Sequence, residues 1–369
     1  MKMQMAKRII ISGGGTGGHV FPAISIANAL KSIDDSVIIL FVGALGRLEM
    51  VKVPEAGYEI SGLPVAGFER RLSLKNVSVL IKLIKSLGKS RKIIKTFKPD
   101  VVVGVGGYAS GPLLKVAGRK GIPTLIQEQN SYAGVTNKLL AKKAKMICVA
   151  YEGMERYFPA EKILLTGNPV RKDLDGPGNN RNEAIKYFDL EENIPTALIL
   201  GGSGGSRTIN ESIAEGIEKI EGSEIQVIWQ TGKYYYDSMK RIHKESSASR
   251  VQLHDFIDRM DFAYAAADII VSRAGAGTIS ELAVVGKPVI LIPSPNVAED
   301  HQTKNAMSLV DKNAALMMKD SESVEKLADA IIALIKDTEK RRILAGNIRS
   351  MAMKDSDIII AKEILKLAE

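Results

Sequence analysis

The stretch Gly13-Gly14-Gly15-Thr16-Gly17-Gly18-His19-Val20-Phe21-Pro22 combines bare backbone with one imidazole. Glycines turn the chain through positive φ and bring N–H groups close to a ligand. A helix starting just beyond them adds a positive dipole end, which favours phosphate. His19 stands where loop becomes helix, so its ring is expected to face the same crevice. Of the four histidines (His19, His243, His254, His301) it has the best context for a general base. The loop alone indicates a nucleotide-like ligand on an α/β domain.

Further along, Ser272-Arg273-Ala274-Gly275-Ala276-Gly277-Thr278-Ile279-Ser280-Glu281 reads as a strand end, a small-residue loop and a helix beginning near Thr278. Backbone N–H groups and the Thr278 hydroxyl suit a diphosphate, and Glu281, one turn in, suits a ribose diol. A capping box with Thr278 or Gly277 as cap and Glu281 in the first turn fits equally well. Gly201-Gly202-Ser203-Gly204-Gly205-Ser206-Arg207 follows a buried strand, where ligand approach is favoured over a plain flexible turn. Glu128-Gln129-Asn130 offers three polar side chains to sugar hydroxyls, with an N-cap role open for Asn130. Arg171 is a candidate for a ligand phosphate or a hinge ion pair. Gln302, opening a helix after a proline-rich loop, can reach a sugar or cap that helix. Asp173-Leu174-Asp175 has a metal-binding form but lies in a turn-rich junction, and no His/Asp/Glu cluster argues for a metal. The single cysteine, Cys148, sits in an apolar run and reads as a structural thiol in a reducing compartment.

A dinucleotide fingerprint is the competing reading of the first loop. It matches only as Gly13, Gly15 and Gly18, and it wants an acid ending the second strand. That strand ends Phe41-Val42-Gly43-Ala44, so NAD loses ground.

These loops need strands and helices to carry them. Apolar runs at 8–12, 37–42, 59–63, 101–105, 124–127 and 146–149 alternate with helical segments, the pattern of a parallel α/β sheet. After the turn-rich stretch 175–180 a new series follows at 196–200, 226–230, 251–253, 268–272 and 289–292. The last helix is expected over about 356–368. The halves echo each other: 9–18 resembles 198–206, and 101–110 resembles 269–277. The expected fold is α/β, with two Rossmann-like domains whose glycine loops face a shared cleft. The expected division is 1–166, 167–345 and a helical tail, 346–369, packing back on the first domain. A chain of 369 residues fits two domains at roughly 150 residues each.

The net charge is +9. Between Glu69 and Lys98 stand ten Lys/Arg and one acid. With one tryptophan and no aromatic residues interleaved with this charge, nucleic acid is disfavoured. The helix expected over 77–97 places Val77, Leu80, Ile81, Ile84 and Leu87 on one side, read as its core stripe. Lys75, Lys82, Lys85, Lys89 and Lys92 line another. Val79 and Leu83 fall beyond the stripe, which favours docking on an anionic membrane over a merely solvated face. No apolar run approaches the ~20 residues that span a bilayer, and the start of the chain is too short for a signal-peptide apolar region. Neither a membrane span nor export by such a signal is expected.

Taken in order, the motifs at 14–22, 104–112, 128–130, 167–171, 201–206, 256–260, 273–281 and 300–306 resemble the MurG family of bacterial peptidoglycan N-acetylglucosaminyltransferases. The resemblance spans nearly the whole chain. It implies a metal-independent, inverting glycosyltransferase of GT-B architecture, without cofactor. Such an enzyme moves N-acetylglucosamine from UDP-N-acetylglucosamine to the 4-hydroxyl of the muramoyl sugar of lipid I, giving lipid II and UDP. By the family pattern Ile257 meets the uracil through its backbone and Glu281 the ribose. Ser203, Ala276, Gly277, Thr278, Ile279 and Ser280 meet the diphosphate, with Arg171 in the same site. Thr16, Gly17, Gly18, Asn130 and Gln302 line the transferred sugar. Gly14, Gly15, His19, Gly106, Gly107 and Tyr108 take the acceptor, with His19 the candidate base. The family also implies work at the cytoplasmic face of the membrane, as a peripheral protein beside other cell-wall synthesis proteins. One departure stands out: many relatives carry glutamine where this chain has Gly204. A transferase for another lipid, such as diacylglycerol, and a non-catalytic sugar-nucleotide-binding protein remain the competing classes.

Overall fold

A computed structural model describes residues 6–66, 74–171, 174, 180–202, 204–246 and 248–369. The chain divides into two units, Met1–Val170 with Lys354–Glu369, and Arg171–Met353.

The first unit is built on β1 (Arg8–Gly13), α1 (Gly17–Ile33), β2 (Ile38–Ala44), α2 (Glu49–Glu55), β3 (Glu59–Leu63) and α3 (Leu74–Phe97). It continues with β4 (Val101–Gly106), α4 (Ser110–Arg119), β5 (Thr124–Glu128), α5 (Val135–Leu140), β6 (Met146–Val149) and β7 (Ile163–Leu165). The strands form one parallel sheet in the order β3-β2-β1-β4-β5-β6-β7. Both faces are covered, so the central strands are continuous apolar runs. Ile9 and Ile11 join the core beneath α1, while Ile10, one pleat away, joins the core beneath α4. Cys148 is fully buried, and burial pushes its thiol up to about 12, which marks a structural residue.

The second unit repeats the plan. It holds α6 (Arg181–Tyr187), β8 (Thr196–Leu200), α7 (Arg207–Glu215), α8 (Ile217–Glu221), β9 (Gln226–Gln230), α9 (Tyr236–Ser246) and β10 (Val251–His254). After these come α10 (Met260–Ala266), β11 (Ile269–Ser272), α11 (Ala276–Val285), β12 (Val289–Leu291), α12 (His301–Val310), β13 (Leu316–Met317), α13 (Ser323–Lys336) and α14 (Thr338–Ser350). Its sheet order is β10-β9-β8-β11-β12-β13, again parallel. The strand order reverses between β1 and β4 and again between β8 and β11. In such sheets the crevice at that reversal, beyond the carboxyl ends of the strands, is where ligands bind.

The chain returns to the first unit at Lys354 rather than 346, because α14 packs on α11 and α13 of the second unit. The last helix, α15 (Ser356–Leu367), lies against α1, with Ile360, Ala361 and Ile364 fully buried. Short β7 and β13 were not expected from the sequence.

The orientation of α3 corrects the sequence reading. Val79 is buried and Leu83 half-buried, so neither projects outward. Ser86, Ser90 and Ile94 continue that buried face at spacings of three to four residues. Two serines there let α3 lie close on its neighbours α4 and β3, as small side chains do at helix contacts. The residues read as a core stripe, Val77, Leu80, Ile81 and Ile84, are instead 50–62% exposed. Only Leu87 of that set packs against the core. Lys82, Lys85, Lys89 and Lys92 are exposed beside them, while the side chain of Lys75 lies outside the described residues.

Candidate active site

In the first unit, the loop after β1 and the loop after β4 touch, and glycine is what allows it. A Cβ on Gly107, whose φ is +85°, would stand 2.3 Å from the Gly14 carbonyl oxygen. A Cβ on Gly106 would stand 2.7 Å from the His19 ring. The Ser110 hydroxyl lies 2.8 Å from the Ser12 carbonyl and 2.9 Å from that of Gly106, tying both loops to one donor. Helix α1 begins at Gly17 with Thr16 as a cap that makes no side-chain capping bond. Thr16 and Gly18 are exposed, and His19 is half-buried in the first turn. Tyr108 is 56% exposed at the rim.

Glu49, fully buried, was missed by sequence reasoning. Its carboxylate accepts from the Ala44 N–H and the Gly15 N–H, both at 2.8 Å. The Gly15 amide therefore serves the loop itself instead of facing an acceptor as expected. An acid does follow β2, but it braces the glycine loop instead of offering itself to a ribose, which further weakens the dinucleotide reading. The signal was an acid five residues beyond a strand end, too far for the fingerprint considered.

A chain of three side chains, one in β5, one just after it and one after β7, leads to His19. Gln129 Oε1 is 3.0 Å from His19 Nδ1, and Gln129 Nε2 donates to the Val105 carbonyl at 2.6 Å and also to Gln127 Oε1. Gln127 Nε2 donates to Asn168 Oδ1 at 2.9 Å, and Asn168 Nδ2 to the Gln129 carbonyl at 3.0 Å. Glu128 folds the following turn, accepting from the Asn130 and Gly134 N–H groups and from Asn137 Nδ2 at 2.8–3.1 Å. Glu128 and Gln129 are thus interior, and Asn130 alone of that triplet is half-exposed. Gly134, not Asn130, caps α5.

In the second unit, α11 begins at Ala276, two residues before the expected start. Its cap is Gly275, extended and with no side-chain capping bond, which removes the capping-box reading. The first turn of α11 is the positive end of that helix, the kind of end that suits a phosphate. Ala276, Gly277, Thr278 and Ser280 are half-buried there, and Ile279 is core. Glu281 is held by the buried Tyr264, whose hydroxyl lies 3.4 Å from Oε2. Arg273 braces the loop instead of facing it. Its guanidinium donates to Asp320 at 2.5 Å, to the Ser206 hydroxyl at 2.6 Å and to the Ile292 carbonyl at 3.0 Å.

Gln230 joins two more loops, donating to the Gly202 carbonyl at 3.2 Å and accepting from the Ile257 N–H at 3.3 Å. The Ile257 amide is thus engaged within the protein, and its side chain is buried. Next to it, Arg259 hydrogen-bonds Asp261 and holds that carboxyl below its usual range. Gln302, in the first turn of α12, accepts from the Ser294 N–H at 2.9 Å, which orients its amide. A Cβ on Gly204 would meet nothing within 4 Å, so packing does not require glycine there. Arg171 is exposed where the second unit begins. Ser203, Asp173 and Asp175 lie outside the described residues.

The stretches 14–22, 201–206, 256–260 and 273–281 each follow the carboxyl end of a strand, where such sheets bind ligands. Residues 9–149 match the N-terminal domain of glycosyltransferase family 28, and residues 196–360 its C-terminal domain. A Bacteroides thetaiotaomicron protein named UDP-N-acetylglucosamine–N-acetylmuramyl-(pentapeptide) pyrophosphoryl-undecaprenol N-acetylglucosamine transferase is 57% identical, over 100% of this chain and 99% of its own. A Phocaeicola vulgatus protein of the same name is 59% identical, over 100% of this chain and 98% of its own. The crystal structure of Acinetobacter baumannii MurG superposes with a TM-score of 0.80 at 27% identity, covering 98% of this chain and 99% of that one. The chain belongs to glycosyltransferase family 28 and, within it, to the MurG family that its motifs resemble.

Proposed function

We propose that this chain transfers N-acetylglucosamine from UDP-N-acetylglucosamine to the 4-hydroxyl of the muramoyl-pentapeptide sugar of lipid I, forming lipid II and UDP with inversion. The observation that carries this reading is the full-length likeness to transferases of that name, with the glycine-rich loops at the carboxyl ends of strands. The second unit takes the donor. The first turn of α11, the positive end of that helix, stabilises the diphosphate as negative charge builds on it, and Glu281, steadied by Tyr264, takes the ribose. The Ile257 carbonyl is the backbone group left for the uracil, since its N–H serves Gln230. Thr16, Gly17, Gly18, Asn130 and Gln302 meet the transferred sugar, and Arg171 the leaving diphosphate.

The first unit takes the acceptor at the loops of Gly14 and of Gly106, Gly107 and Tyr108. The acceptor oxygen bonds to the anomeric carbon as the bond to the β-phosphate oxygen breaks, its electron pair leaving on UDP. The hydroxyl proton passes to His19 Nε2. One assay separates this from the competing classes: UDP release is expected with UDP-N-acetylglucosamine and a lipid I analogue. It is not expected with UDP-glucose or with diacylglycerol as acceptor. No release from any pair would favour a binding protein.

A lipid-linked acceptor also gives α3 a use. Among the described residues no helix is long and apolar enough to cross a membrane. Val77, Leu80, Ile81 and Ile84 are exposed beside Lys82, Lys85 and Lys89, an arrangement that suits shallow insertion into an anionic surface. This is a better membrane face than the expected one through Val79 and Leu83. At about 1 kcal/mol per lysine near such a surface, three contribute about 3 kcal/mol, or roughly a hundredfold in partitioning. The full chain is expected to float with vesicles containing anionic lipid and not with neutral ones. Combining Lys82→Glu, Lys85→Glu and Lys89→Glu should abolish that flotation, and undiminished flotation would sink the idea. In this reading the protein works as a peripheral protein at the cytoplasmic face, where other cell-wall synthesis proteins are its neighbours.

A further inference from the structure

We propose that Gln129 is a positioning residue that fixes His19 in the Nδ1–H tautomer, leaving the Nε2 lone pair to accept the proton. The inference deepens the reading of His19 as base and rests on it for its catalytic meaning.

The argument is one of hydrogen-bond polarity. A backbone carbonyl can only accept. Asn168 donates through Nδ2 to the Gln129 carbonyl, so its Oδ1 must be the atom facing Gln127. Gln127 therefore presents Nε2 to Asn168 and Oε1 to Gln129. Gln129 in turn presents Nε2 to Gln127 and, independently, to the Val105 carbonyl. Both amide hydrogens of Gln129 are used, and its oxygen is left facing His19 Nδ1 at 3.0 Å. An amide oxygen cannot donate, so Nδ1 carries the hydrogen, and in a neutral ring Nε2 then carries the lone pair.

Two carbonyls at separate points, of Val105 and of Gln129 itself, enforce the same direction. Gln127, Gln129 and Asn168 are buried, so water does not compete for these groups. With the opposite tautomer Nε2 would be a donor and could not take a hydroxyl proton. As the ring becomes an imidazolium, the Nδ1–H bond to Gln129 persists, so proton uptake needs no rearrangement. An amide also orients the ring without adding a charge beside an anionic acceptor.

The test reads the tautomer directly. Long-range proton–nitrogen correlation on the full, ¹⁵N-labelled chain, at a pH where His19 is neutral, should show Nδ1 protonated and Nε2 bare. A protonated Nε2 in the unsubstituted protein overturns the proposal, whatever any variant does. Gln129→Met should release the ring, mixing the tautomers. It should also lower kcat roughly 10- to 100-fold, part of the ~10²–10⁴ that a general base supplies, with KM for UDP-N-acetylglucosamine little changed. Gln127→Met should act in the same direction but less, because the Val105 carbonyl still anchors Gln129. An unchanged tautomer in Gln129→Met also overturns the proposal. Should His19→Ala keep full turnover, the base reading fails by itself, and the spectrum alone decides the tautomer assignment.

Discussion

Replacing His19 with alanine lowers kcat for transfer to a lipid I analogue by about 10²–10⁴-fold, the range a positioned general base contributes. The affinity for UDP-N-acetylglucosamine changes little, because the donor's nucleotide is assigned to the second unit. The loss is specific because the ring sits in the first turn of α1, against Gly106 and under the control of Gln129. Steady-state kinetics with each substrate varied in turn makes the measurement. Near-normal kcat with a raised acceptor KM would assign His19 to acceptor binding and remove it as base.

Gly107→Ala has the second large effect expected. A φ of +85° is strained for any residue with a Cβ, at about 1–3 kcal/mol, and here the new carbon would also press on a backbone oxygen at 2.3 Å. Backbone cannot step aside as a flexible side chain can, so the loops after β1 and β4 must separate. Turnover should fall to near background and thermal unfolding should shift down, while UDP binding, measured by calorimetry, persists. Gly204→Ala makes the natural control. It too lies in a glycine loop, but its Cβ would meet nothing, and its stability should match the parent's. Full activity in Gly107→Ala would show that the contact between the two loops has no part in catalysis.

Much of the frame was legible because parallel strands buried on both faces are written as unbroken apolar runs. Ile9, Ile10 and Ile11 read as strand, and β4 and β8 likewise. Edge strands lack that signature: β7 is three residues, none of them buried, and β13 only two. The buried face of α3 carries Ser86 and Ser90 beside Val79 and Ile94, while Val77, Leu80, Ile81 and Ile84 point outward. Hydrophobic periodicity cannot distinguish a stripe meant for a core from one left exposed.

The glycine loops were legible as a type of site, since few uses other than close backbone approach require so many glycines at a strand end. Their braces were not. His19 and Gln129 are 110 positions apart, and Gln127 and Asn168 are 41 apart. No local pattern relates such pairs. Glu49, Gln230 and Arg273 likewise act on loops that only folding brings near them.

The crossing of the chain back to its first unit bears on how the protein is made. The core under β1 is closed by α15, through Ile360, Ala361 and Ile364. A ribosome delivers these residues some two hundred positions after β7 and after every strand of the second unit. The second unit can complete its own core while synthesis continues, as domains generally do. The unit begun first is the one finished last. Until α15 docks, α1, which carries His19 in its first turn, lacks one wall of its support.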